Sequence, residues 1–151
     1  MLGDRTWATE GNLNNHLGVP LSLTRLDSVE HDYAVIEAGI SGPGEMAMLA
    51  GMIEPDAALV TLVDHAHTKD LGDLMGVARE KAILPAAVKG VGDRVFPAKV
   101  AAMAPFQMLD DTKVVVERVE VIESAAEPNH VDFLATHRRD ETMLGVVRGE
   151  T

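Results

Sequence analysis

The segment from residue 32 to residue 68 most constrains the fold of this 151-residue chain, because it reads as strand, loop, helix and strand. The run Tyr33–Ile36 is short and continuously apolar, which is typical of a strand buried on both faces. A glycine-rich loop follows, and the Met-, Ala- and Leu-rich segment Glu45–Ile53 predicts a helix that ends before Pro55. The apolar run Ala57–Val63 predicts the next strand. Together these elements predict a βαβ unit, in which parallel strands are joined by a right-handed crossover.

The remaining sequence predicts one more helix and a set of short strands. Apolar residues three and four positions apart predict the helix over 70–84. Short β-like pieces separated by turn-forming residues then predict a small antiparallel meander, over 93–96, 112–116, 118–123, 131–136 and 143–147. We therefore expect an α/β fold, with an incomplete parallel sheet flanked by helices and the meander at the C-terminal end. No internal repeat or linker divides the sequence, so we expect a single domain over 1–151, with a βαβ part over 1–90 and a β-rich part over 91–151.

The composition narrows the classes of ligand and partner. The chain has 24 acidic and 13 basic residues and a formal net charge of -11, which repels nucleic acid and anionic membrane surfaces. It has no cysteine, so a metal would have to be held by His, Asp or Glu. No apolar run approaches the roughly 20 residues of a membrane-spanning helix, and Met1–Arg5 lacks a signal-peptide pattern. We expect a cytoplasmic protein with a small-molecule substrate.

Potential metal ligands follow the predicted strand Ala57–Val63. Alternate residues of an extended chain point to the same side, so His65 and His67 can face one ion, with Asp64 as a further ligand or as a cap of the next turn. Ligands gather at the carboxyl ends of parallel strands, where Glu37 would also lie. The sequence thus predicts a metal site built from these four residues. The alternative is a pair of solvated histidines in a loop.

Several motifs, in the same order along the chain, resemble the central domain of the Mur ligases. They cover about half of the chain and are Thr9–Pro20, Tyr33–Gly39, Pro43–Glu45, Ala58–His67 and Gly76–Lys81. The resemblance implies that Glu37 and His67 help to hold the Mg²⁺ that bridges ATP phosphates. It also implies that Lys81 is a cofactor-binding residue, at the position of a carbamylated lysine that holds a second ion. Asn14 and Asn15 would belong to the side that meets a UDP-sugar substrate. For Glu37 and Lys81 the alternative is a solvated charge on a loop or helix.

The chain also departs from the family pattern. It lacks the glycine-rich phosphate loop that ends in Gly-Lys-Thr, so we expect the sheet to lack that loop's strand, ATP not to be a cofactor, and the chain to be inactive as a ligase by itself. Asp64 and His65 stand where the family usually has a small residue and a proline. Two imidazoles and a carboxylate favour Zn²⁺ over the Mg²⁺ or Mn²⁺ that the family resemblance implies.

Three hypotheses follow. The first is a truncated Mur-ligase-like domain in which His65, His67 and Glu37 form a metal-dependent hydrolase site, with a metal-bound water attacking activated phosphate or carboxylic esters. The second is a non-catalytic fragment of an ATP-dependent ligase of peptidoglycan synthesis, which binds a UDP-sugar peptide or associates into a homodimer through open strand edges. The third is one piece of an ordinary ligase.

Overall fold

The computed structural model describes residues 5–65, 68–90, 92–109, 113–123, 130–137 and 143–150. The elements in chain order are β1 (Thr6–Ala8), α1 (Gly18–Leu23), β2 (Tyr33–Val35), α2 (Glu45–Ile53), β3 (Ala58–Leu59), α3 (Thr68–Leu71), α4 (Leu74–Ala86), β4 (Arg94–Pro97), α5 (Ala98–Ala101), α6 (Ala104–Gln107), β5 (Lys113–Glu123), β6 (His130–His137) and β7 (Met143–Glu150). The fold is α/β, as predicted. Among the described residues, every helix is too short or too polar to cross a bilayer.

The chain forms two compact units, Met1–Glu37 with Glu117–Thr151, and Ala38–Val116. The predicted single domain with a division near residue 90 stays a prediction. In the first unit, β1 and β2 form a parallel pair in which Trp7 lies opposite Ala34. The Arg5 guanidinium joins the starts of these strands through Nε and Nη2, which donate to the Asp32 carboxylate at 2.6 and 2.9 Å. This exposed ion pair lowers the pKa of Asp32.

A second strand pair of the first unit confirms part of the predicted meander. β6 and β7 pair antiparallel, with an irregularity in register between Phe133 and Ala135. The predicted strand Tyr33–Ile36 is also confirmed as β2, apart from its last residue, but its predicted burial on both faces is wrong, because Tyr33 and Ala34 are exposed. The sequence did not predict β1 or α1, because segments of three and six residues carry too few positions for a periodic pattern.

In the second unit, a parallel sheet lies against helices. β3 pairs with β4, and β4 pairs with the first part of β5. Phe96 and Phe106 are fully buried and meet edge to face, with ring centroids 5.1 Å apart. The buried core cluster consists of Val60, Ala78, Ala82, Phe96, Val100 and Phe106.

The observed strand pairing adds to one prediction and corrects another. β2 has its parallel partner in β1 and β3 has its parallel partner in β4, so each strand of the predicted βαβ unit pairs with a strand outside that unit. A common sheet edge for Glu37 and Asp64 therefore has no support from strand pairing. The pieces predicted to open the antiparallel meander pair parallel instead, as β4 and β5. The segment between them contains α5 and α6, and a parallel connection requires such a crossover.

The predicted helix over 70–84 is divided into α3 and α4. Gly72 has a left-handed backbone with φ of 85°, and Asp73 caps α4 by accepting a hydrogen bond from the Gly76 backbone N–H at 2.6 Å. A side chain at Gly76 would place its Cβ only 1.9 Å from the carbonyl oxygen of Leu71. The tight approach of α3 to α4 thus requires glycine at position 76.

The middle and the C-terminal end of α4 are tied to other segments of the second unit. Gly44 begins α2 with φ of 82° and has no side chain to cap it, whereas the buried Glu80 on α4 accepts a hydrogen bond from the Met46 backbone N–H at 3.0 Å. This carboxylate replaces the missing cap. Near the C-terminal end of α4, the buried Arg94 guanidinium donates to the carbonyl oxygens of Pro85 and Val88 at 2.9 and 3.1 Å.

We predict that Glu80→Ala destabilises the protein by about 1–3 kcal/mol, because the buried N–H of Met46 loses its acceptor. Glu80→Gln should lose less, since an amide oxygen can still accept. Urea unfolding followed by circular dichroism measures both changes. Glu30→Ala, at an exposed position, is the control, and equal stabilities of Glu80→Ala and this control would contradict the capping role.

Candidate functional site

The loop that precedes α1 is held by Asn15. The Oδ1 atom of Asn15 accepts hydrogen bonds from the backbone N–H groups of Leu17 and Gly18, at 3.0 and 2.9 Å. A Cβ at Gly18 would lie 2.4 Å from the carbonyl carbon of Leu13, so the loop closes against itself only with glycine there. Asn15 therefore shapes the segment that carries Asn14. Its predicted contact with substrate stays a prediction.

Glu37 lies just after β2 and is held by two residues of the loop that precedes α1. Its backbone N–H donates to Thr9 Oγ1 at 2.9 Å, and its carboxylate Oε1 accepts from Asn14 Nδ2 at 2.7 Å. The second carboxylate oxygen, Oε2, accepts no hydrogen bond from the described part of the chain. Glu37 is exposed, so this oxygen is open to a ligand. The structure thus brings together Glu37 and Asn14, to which the sequence analysis had given separate roles.

Lys81 occupies a half-buried position in the second unit. Its Nζ donates to the carbonyl oxygen of Leu62 at 2.8 Å, which ties α4 to the segment that follows β3. Burial lowers the pKa of Lys81, and the negative charge of Asp64 partly opposes that effect. Lys81 is therefore not the freely solvated helix charge of the alternative interpretation.

The predicted metal ligands after β3 are only partly visible. Asp64 and His65 are exposed, and the Asp64 Oδ1 accepts a hydrogen bond from the His65 backbone N–H at 2.7 Å. His67 lies outside the described residues. Within the described ranges, no three His, Asp or Glu side chains form a group that could hold a metal ion. The cluster of His65, His67, Asp64 and Glu37 therefore stays a prediction.

The sequence did not single out two residues that hold the site, Thr9 and Glu80. Thr9 fixes the backbone of Glu37 from 28 positions away, and Glu80 caps α2 from 34 positions away. A local pattern cannot reveal either contact. The available signal in the sequence was the spacing of Glu80, which is four residues after Gly76 and three after Val77. This spacing places Glu80 on the same face of the helix as those two residues, and that face is buried.

The α/β fold and the residues that it positions match a known class of enzyme domain. The family model described as the Mur ligase middle domain matches residues 2–107. The chain belongs to the Mur ligase family, through this middle domain.

Two similar proteins carry the same name, which is that of a ligase. The UDP-N-acetylmuramoyl-tripeptide–D-alanyl-D-alanine ligase of Escherichia coli is 49% identical over 76 residues, which cover 50% of this chain and 17% of that protein. The ligase of the same name from Bacillus subtilis is 39% identical over 77 residues, covering 51% of this chain and 17% of that protein. The chain thus spans about a sixth of the length of these relatives.

Solved structures show the same fold over most of the chain. MurF from Acinetobacter baumannii has a TM-score of 0.65 at 24% identity, over 96% of this chain and 32% of that one. MurF from Thermotoga maritima, solved in complex with ADP, has a TM-score of 0.65 at 18% identity, over 96% of this chain and 34% of that one. At these identities the likeness shows the fold.

We predict that Asp64→Asn lowers the pKa of Lys81 further, because the charge of Asp64 raises that pKa against the effect of burial. NMR titration of the lysine side chains measures the change. Asp93→Asn, at another exposed aspartate, is the control and should leave Lys81 unaltered. An unchanged pKa in Asp64→Asn would show that the two groups do not interact.

The lowered pKa of Lys81 also predicts a pH dependence of stability. The unfolded chain binds the lysine proton more tightly, so stability should rise as the pH increases from the lowered pKa toward the ordinary lysine value. Lys81→Met should remove this part of the rise. Urea unfolding of both proteins across alkaline pH measures it, and identical pH profiles would contradict the burial of the charge.

Proposed function

We propose that this chain supplies middle-domain residues to a ligase of peptidoglycan synthesis that joins D-alanyl-D-alanine to UDP-N-acetylmuramoyl-tripeptide. The observation that carries the proposal is the 39–49% identity, over half of the chain, to the Escherichia coli and Bacillus subtilis ligases of that name. The complete ligase reaction is a proposal for a protein that contains this chain, since the chain spans a minor part of its relatives. A cytoplasmic location accords with a nucleotide-linked substrate.

Glu37 is the residue that we assign to a divalent cation in the first unit. Its exposed Oε2, which accepts no hydrogen bond from the part of the chain that the structure describes, is the hard oxygen donor that Mg²⁺ prefers, and Mn²⁺ accepts the same ligand type. When bound, such an ion neutralises negative charge on phosphate groups. The neutral amide of Asn14 leaves the charge of the carboxylate intact for the ion. These features support Mg²⁺ rather than Zn²⁺ at this residue.

Lys81 is the corresponding candidate in the second unit. A carbamate forms when a neutral amine adds to CO₂ and releases a proton, which converts a cation into an anionic oxygen ligand. Burial lowers the pKa of Lys81 and so increases the neutral fraction that can react. This supports the role of Lys81 in cofactor binding by a carbamylated side chain.

Asn14 and Asn15 lie on the segment that we assign to the UDP-sugar. Asn15 uses its side-chain oxygen to fix the loop, so the surface offered to the substrate depends on that turn. The Oδ1 of Asn14 accepts no hydrogen bond from the described residues. This oxygen is available to a donor group of the substrate.

The metal-dependent hydrolase with Zn²⁺ at His65 and His67 has less support. His65 is exposed, and the described residues hold no group of three metal-ligating side chains. An open zinc site needs three protein ligands to activate water. Self-association into a homodimer also stays a prediction, which sedimentation velocity at micromolar protein concentration tests.

We predict that the chain binds UDP-N-acetylmuramoyl-tripeptide and that Gly18→Ala weakens this binding by about tenfold or more, because the added Cβ forces the loop open. Isothermal titration calorimetry measures the affinity. Gly51→Ala is the matched control, because a Cβ at Gly51 meets no atom within 4 Å. No heat with the unsubstituted chain, or equal affinity in Gly18→Ala, would contradict the assignment.

We further predict that the chain hydrolyses neither p-nitrophenyl phosphate nor p-nitrophenyl acetate. This should hold for the chain as purified and for the chain that has been treated with EDTA and then supplied with Zn²⁺. The reason is that the family and the similar proteins that the chain matches are ligases by name. Release of p-nitrophenol is followed by absorbance. Turnover that is lost on chelation, restored by Zn²⁺ and abolished in both His65→Ala and His67→Ala would instead establish the hydrolase.

A further inference from the structure

We propose that Asn14 is a positioning residue for Glu37, whose side-chain amide fixes one carboxylate oxygen so that the other is presented to a divalent cation. This inference rests on the proposed function, in which Glu37 binds that cation. It assigns to Asn14 a role toward the metal in addition to the UDP-sugar side. The juxtaposition that carries it is the contact between the Asn14 amide and the Glu37 carboxylate.

The contact has the geometry of a strong hydrogen bond. The Asn14 Nδ2 donates to the Glu37 Oε1 at 2.7 Å, a short distance that is typical of a donor paired with an ionised carboxylate. The two residues are 23 positions apart, so the fold rather than the local sequence brings them together. Asn14 is partly buried whereas Glu37 is exposed, which makes Asn14 the better fixed of the two.

Glu37 is fixed at its backbone as well as at its carboxylate. Its N–H donates to Thr9 Oγ1 at 2.9 Å, and the Thr9 N–H donates to the Val35 carbonyl oxygen at 3.0 Å. Thr9 thus continues the pairing of β1 with β2 up to the glutamate. Because both ends of the side chain are held, few rotamers of Glu37 remain accessible. A cation that binds Oε2 then loses less conformational entropy than it would at a free glutamate.

The chemistry of the partner is as informative as its position. An exposed glutamate beside Lys or Arg is neutralised by that partner, as Glu54 is paired with Lys89 at 2.6 Å. Such a partner would repel a metal ion. The amide of Asn14 is neutral, so it orients the carboxylate and leaves its full negative charge for the cation. Asn14 and Glu37 therefore differ from the ordinary surface ion pairs of this chain.

The test is the binding of Mn²⁺ to the 151-residue chain, measured by electron paramagnetic resonance of the free ion. Asn14→Ala should weaken binding about tenfold, the lower end of the loss seen when a partner of a metal ligand is removed. Asn12→Ala, at an exposed asparagine two positions earlier, should stay within about twofold of the unsubstituted chain. In a Glu37→Ala background, Asn14→Ala should cause no further loss, because the two residues act through one contact.

A second readout separates positioning from a general effect on folding. In the metal-free chain, Glu37→Ala should shift the NMR signals of the Asn14 side-chain amide, while the backbone signals remain dispersed. If Asn14→Ala is poorly folded, Asn14→Leu removes the amide donors at nearly the same size and is used in its place. A loss of Mn²⁺ affinity in the folded Asn14→Leu protein supports the proposal in the same way.

The possible failures are distinguishable. Equal Mn²⁺ affinity in the unsubstituted chain and in Asn14→Ala, together with a loss in Glu37→Ala, would overturn the role of Asn14 and leave the proposed role of Glu37 intact. Mn²⁺ binding that is absent, or that is unaffected by Glu37→Ala, would overturn both. An Asn14 amide signal that does not respond to Glu37→Ala would overturn the contact itself.

Discussion

The buried carboxylate of Glu80 organises the second unit. Helix α2 begins at a left-handed glycine that has no side chain to accept its first N–H groups, and Glu80 reaches from α4 to accept one of them. A buried N–H without an acceptor is costly, so α2 and α4 are favoured only in the arrangement that satisfies it. Lys81 is the next residue on α4. The contact of Glu80 with Met46 fixes the position of α4, so the hydrogen bond from Lys81 to the Leu62 carbonyl oxygen depends on it.

In the first unit, polar side chains that are exposed or partly buried fix the site in place of a buried carboxylate. Thr9, Asn14 and Asn15 direct their polar atoms to a backbone N–H, a carboxylate and two further N–H groups. A loop that would otherwise be free is thereby fixed beside the strand end that carries Glu37. Each unit thus holds one candidate binding side chain, Glu37 in the first and Lys81 in the second, through polar contacts that leave it few conformations. This kind of restraint is what the binding of an ion or a phosphorylated ligand requires.

The sequence predicted elements better than it predicted their partners. The helix Glu45–Ile53 was predicted with its observed bounds, because Gly44 and the turn before Pro55 are local signals. The strand pairing was predicted less well, since a strand's neighbour is chosen by distant segments and β1 was too short to recognise. At the candidate site, the residue types came from the family resemblance. The contacts of Glu37 with Asn14 and of Lys81 with Leu62 span 23 and 19 positions and required the structure.

Helix α4 is held in its middle and near its C-terminal end by contacts of the same type. In the middle, the side chain of Glu80 accepts from the backbone of α2, whereas near the end the backbone carbonyl oxygens of Pro85 and Val88 accept from the guanidinium of Arg94. Each contact joins one side chain to a backbone group that almost every residue type carries. These contacts therefore constrain the residue type at positions 80 and 94 and leave the positions of their partners open to substitution.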